Sequence, residues 1–184
     1  MMKKIYLLTT AILLCFSFVN SQISEGGIPK SFYDKSSDTI LYTQAHQKIV
    51  LQNPDLSLII EDDFQNDSMG KPYRIGVKIP VNLSPENAGT WINVPDGSKM
   101  WRLSISVKKA SALGLYFSED VVIPTGAKLF VYNKNKRQVL GAYTSNTPRF
   151  QAMEMVQGDH LTIEYFAGNE VSSSPVISIE NVAY

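Results

Sequence analysis

The chain is poor in the residues that carry most protein chemistry: one cysteine and two histidines in 184 residues, with 17 basic side chains against 17 acidic ones. Cys15 lies inside an apolar run near the start; if that run is removed, no disulfide, thiol nucleophile or thiolate metal site remains. His46 and His160 stand on unrelated segments and do not compose a zinc site. No GxSxG or GDSGG elbow surrounds any serine. Gly158-Asp159-His160 copies part of a protease motif without its serine, and reads as a turn before a strand. Lys108-Lys109 and the cluster from Lys134 to Arg137 are short and separate, so nucleic acid is not an expected partner. On these grounds no catalytic residue, cofactor site or metal ligand is assigned.

What is present begins with an export signal. Lys3 and Lys4 precede an apolar run from Ile5 to Phe18, and Val19-Asn20-Ser21 supplies small residues for cleavage between Ser21 and Gln22. The run falls short of the roughly 20 residues that span a bilayer, so no membrane span is expected after its removal. The expected location is outside the cytoplasm, periplasmic or extracellular. The 184 residues less those 21 leave 163, with 15 basic and 17 acidic side chains, a formal net charge of −2. A chain of that size buries about 70% of its unfolded surface and needs no disulfide to hold one core.

Beyond the signal, residues 22–55 are polar and weakly periodic, an irregular N-terminal arm anchored by Phe32 and Tyr33. A compact domain is expected over residues 56–184. LSLII (56–60) reads as a short strand and EDDFQNDSMGKP (61–72) as a loop. In YRIGVKIPVNL, Ile75, Val77 and Ile79 share one side, and Pro80 marks an end or an edge position. Pro95-Asp96-Gly97 is a tight turn. WRLSISV alternates Trp101, Leu103, Ile105 and Val107 with Arg102, Ser104 and Ser106; ALGLYF, KLFVY, QVLGAY, HLTIEYF and VISIENVAY follow at turn-separated intervals. Nine or ten half-buried strands with one wet face describe an all-β, antiparallel β-sandwich of Greek-key or jelly-roll type.

Two surface features remain. Glu61, Asp62, Asp63 and Asp67 form an acidic stretch that fails the EF-hand spacing, because Ser68 stands where glycine is required; at most it is a weak calcium site. Among exposed aromatics, Trp91 and Tyr143 are the candidates for facing a ligand such as a surface glycan, with Tyr116 and Tyr132 behind them. Glu164, Glu154, Glu119 and Asp120 are carboxylates with nothing to distinguish them.

GGIPKSF, RIGVKIPVNLSPENAGTW, WRLSISVKKASALGLYFSEDVVIPTGAKLFVYN, VLGAYTSNT and GDHLTIEYF occur in an order that resembles the N-terminal, non-catalytic pro-region of secreted lysyl endopeptidase-like and related trypsin-like serine proteases of Bacteroidetes. The resemblance covers nearly all of the chain after the signal. In that family a trypsin-like domain follows this region; here the sequence stops about where that domain would begin, as expected of a truncated protease, part of a split gene or a stand-alone domain. The resemblance implies a secreted domain that docks on a trypsin-like protease or its catalytic domain, as folding aid, inhibitor or targeting module. A glycan-binding or adhesive module is the alternative.

Overall fold

The computed structural model describes residues 24–33, 45–148 and 151–184. The signal peptide, with its cleavage point at Ser21 and Gln22, lies outside the described residues. Eleven elements follow a 3-10 turn at Lys30–Phe32: β1 (Lys48–Leu51), α1 (Ser57–Ser68), β2 (Lys78–Leu83), β3 (Thr90–Asn93), β4 (Lys99–Val107), β5 (Ala112–Phe117), β6 (Ala127–Asn133), β7 (Val139–Tyr143), β8 (Val156–Gln157), β9 (His160–Ala167) and β10 (Ile179–Ala183). They form an all-β sandwich. One sheet has the order β1-β4-β9-β6-β7, with β3 also on β4; the other has the order β2-β10-β5-β8. β1 and β3 lie end to end along one edge of β4, β3 opposite residues 99–102 and β1 opposite residues 104–107. All pairings are antiparallel except β1 with β4.

The period of two in β4 and β9 does what it predicts. Trp101, Leu103 and Ile105 stand opposite Tyr165, Ile163 and Leu161, and these six fill the space between the sheets. Leu113, Leu115 and Phe117 of β5 meet them from the second sheet. Burying side chains of this size stabilises the fold by about 1.5–3 kcal/mol each. Pro80 sits within β2, which is an edge strand, where its missing N–H leaves no ladder bond unmade. Gly89 is required by its place: it adopts φ +84°, and a Cβ there would lie 2.2 Å from Trp101 Nε1, whose N–H donates to Ala88 O.

Three readings need correction. LSLII is not a strand, and EDDFQNDSMGKP is not a loop. Asp55 Oδ1 accepts the N–H and hydroxyl of Ser57, starting helix α1, and the chain leaves it through Gly70 at φ +68°. Among the described residues no strand pairs with this segment, and its local hydrogen bonds prevail over its β-branched residues. Ile75 does not share a buried side with Ile79; it precedes β2 and is 91% exposed. The outward face of the larger sheet is also not wet. Arg102, Ser104, Thr162 and Glu164 are buried, because part of the stretch read as an arm lies over them. Gly26 and Glu25 exchange backbone hydrogen bonds with Ala142, and β1 joins the sheet.

Candidate functional site

The outward side chains of β4 and β9 are brought into register as Arg102 opposite Glu164, Ser104 opposite Thr162 and Ser106 opposite His160. This puts six polar groups in two columns on one sheet face. Residues 24–33 and 45–47 then lay Ser31 and His46 over them.

Glu164 has no exposed surface. Its Oε1 accepts the backbone N–H of Ser31 at 3.1 Å and its Oε2 accepts the hydroxyl of Tyr132 at 3.1 Å. Since the Tyr132 proton is committed to Glu164, the Ser31 hydroxyl donates to the Tyr132 oxygen, also at 3.1 Å. The Tyr132 hydroxyl is held well above the ordinary tyrosine range by burial first and by the Glu164 charge second. Phe32 packs edge-on against Tyr132 with ring centroids 4.7 Å apart, and the Lys136 ammonium lies 4.5 Å from the Phe32 ring centre. One buried carboxylate therefore fastens the N-terminal segment to the middle of the sheet.

Next to this latch runs a chain of hydroxyls between the two histidines. His46 Nε2 is 2.6 Å from Ser104 Oγ, which is 2.8 Å from Thr162 Oγ1, which is 3.3 Å from His160 Nε2; His160 Nδ1 is 2.8 Å from Ser106 Oγ. His160 is thus turned along the sheet face and half-buried, not pointing freely to solvent as its position at a strand start suggests. Burial lowers its pKa, and the nearby Lys48 and Lys134 charges lower it further; Asp159 acts weakly the other way. The arrangement can pass a proton between the imidazoles through two hydroxyls. As a nucleophile, Ser104 is badly placed: it is buried and covered by His46, so a substrate carbonyl has no line of approach.

The aromatic candidates part company. Trp91 is 39% exposed, but it stands opposite Trp101 on the inward face of edge strand β3. Its indole N–H donates to Pro85 O, and its ring meets Tyr165 edge-on at 6.0 Å. Tyr143 is 6% exposed and belongs to the main core, so its face is not offered to a ligand; burial, then the Glu154 charge, pushes its pKa up to about 12. An inward register position at the end of QVLGAY decides this. Of the acidic stretch, Asp62 and Asp63 ion-pair with Arg74 and lie on a helix instead of a ligand loop. Among the described residues, no three His, Cys, Asp or Glu side chains gather as a metal-binding group.

The same excursion carries a second surface. α1 buries none of its residues, and Leu58, Ile60, Phe64, Met69, Tyr73 and Ile75 are all exposed. Arg74 binds Asp62 and Asp63, and the Lys71 ammonium donates to Asn66, so the return strand of chain is tied back to the helix. No model of a known protein family matches the chain.

Proposed function

We infer that this is an exported, non-catalytic β-sandwich that works by docking, similar to a protease pro-region, and that its partner is a trypsin-like catalytic domain. The single observation that carries the docking reading is the excursion from Ser57 to Ile75. Six large apolar side chains are exposed within 18 residues, Leu58, Ile60 and Phe64 on a helix that buries none of its residues and Met69, Tyr73 and Ile75 on the chain after it, with Ile60 and Phe64 one turn apart on one helix face; apolar side chains left in water at this density mark an interaction surface. Each would contribute about 1.5–3 kcal/mol of gross burial on association, enough for a few of them to dominate binding. Glu61 and Asp67 beside them suit a partner with basic groups around an apolar centre. The choice of a trypsin-like partner rests on the order of sequence motifs. The inaccessibility of Ser104 removes one candidate nucleophile. A glycan platform has weaker support, since Tyr143 is buried and Trp91 is occupied with Pro85 and Tyr165.

The test is a titration of the full chain against trypsin and against a lysine-specific trypsin-like protease, reading heat of binding and cleavage of a small chromogenic substrate. Saturable binding that disappears in Ile60→Ser/Phe64→Ser supports the reading. These exposed sites should leave the urea midpoint within about 0.5 kcal/mol of the parent. No binding to either protease, or equal binding by the double variant, overturns it.

A further inference from the structure

A cavity of about 190 Å³ opens beside the Glu164 latch, at the end of the sheet where the β6–β7 hairpin tip meets the start of β9. Arg102, Lys134, Lys136, His46, His160 and Thr162 line it, together with the Ser31 and Tyr132 hydroxyls. Among the described residues, no carboxylate is in the lining. Glu164 lies below it with both oxygens engaged by Ser31 and Tyr132. We propose that this cavity is a binding site for a small oxyanion, a sulfate, phosphate or carboxylate group held by the Arg102 guanidinium and the Lys134 ammonium beside the His160 imidazole.

Three features favour an anion over any other occupant. Arg102 is 4% exposed, so its charge acts on the cavity with little water to screen it. Lys134 and Lys136 stand on a hairpin tip with no acidic side chain between them, and Asn133 and Asn135 complete that tip. The field at His160 is already net positive: Lys48 from β1 and Lys134 from the hairpin outweigh Asp159, and the remaining charged neighbours of the cluster, Arg102 and Glu164, face each other across the β4–β9 register. A guanidinium and an ammonium around one small space are the donors that oxyanions select. Both ring nitrogens of His160 are engaged by Ser106 and Thr162, so protonation adds positive charge beside the cavity, and binding should tighten as pH falls through its titration.

The experiment uses the full chain and its two histidines as reporters, assigned with His46→Asn. The His160 ring-proton shifts are titrated against pH in sodium chloride, sodium sulfate and sodium acetate at equal ionic strength. Sulfate stays a dianion throughout, so its own titration does not intrude. Expected is a rise of the His160 midpoint by about half a pH unit or more in sulfate or in acetate relative to chloride, the responding salt telling a tetrahedral site from a carboxylate site. Lys134→Gln should weaken that effect about threefold to fivefold, while Lys128→Gln, an exposed lysine on β6 outside the cavity, leaves it intact. Identical midpoints in all three salts overturn the proposal. So does an equal loss in both lysine variants, which would mean diffuse screening without a site. Protease docking is not involved in either readout.

Discussion

Removing the Glu164 carboxylate tests most of the tertiary reasoning at once. In Glu164→Ala, the Ser31 N–H and the Tyr132 hydroxyl lose their acceptor inside the fold. Hydrogen bonds to a charged group are worth about 1.5–3 kcal/mol each, and leaving a buried donor without an acceptor costs about 1–3 kcal/mol. These terms describe overlapping interactions, so they do not add, and the expected loss is about 4 kcal/mol. Glu164→Gln keeps the side-chain shape and one acceptor oxygen, and should lose about 2 kcal/mol. Urea unfolding followed by circular dichroism gives both values. Limited proteolysis supplies an independent reading, since Glu164→Ala frees the segment around Ser31 and should speed cleavage within residues 24–33. A loss below about 1 kcal/mol for Glu164→Ala, with unchanged cleavage, would refute the idea that this carboxylate holds the segment down.

Gly89→Ala forces a methyl group onto the Trp101 indole and the Arg102 carbonyl at a backbone angle that suits only glycine; we expect a loss of about 3 kcal/mol or more in urea unfolding, and a near-parent midpoint would refute it. The lowered His160 pKa means that the unfolded chain takes up a proton first as pH falls. Its contribution is therefore full above the unfolded value near 6.5 and declines as pH drops below it. His160→Gln should flatten the stability profile between about pH 7.5 and 5.5. Burial raises the pKa values of Tyr143 and Tyr165 to about 12. Here the sign reverses: stability is intact below pH 10 and is lost as pH climbs from 10 toward 12. Absorbance at the phenolate band should show three late-ionising tyrosines, Tyr132, Tyr143 and Tyr165, that titrate together with unfolding, and normal ionisation of all nine tyrosines would contradict their burial.

Much of the sandwich was legible because alternation is a local property. In WRLSISV and HLTIEYF the residue two places on must face the same way, so the inward sets could be named before any pairing was known. The edge position of Pro80 followed from its missing donor. The segment from Leu56 to Gly70 was misread because LSLII satisfies a short-strand pattern as well as a helical one, and only Asp55 bonding to Ser57 settles which. The candidate site was nearly invisible. RxSxS in β4 and HxTxE in β9 read as solvent-facing polar positions, and each is ordinary alone. Nothing in the order of residues says that Glu164 lies under Ser31, 133 positions earlier, or that His46 reaches Ser104, 58 positions later.

Chain order by itself determined the periodicities, the turns and the shortage of reactive groups, because each depends on neighbours within a few bonds. Tertiary structure alone decided which polar face became buried, which aromatics kept contact with water and where cationic side chains converged. Those outcomes depend on which distant segment comes to lie over a given strand, and covering a polar face is tolerable only when each buried group finds a partner there.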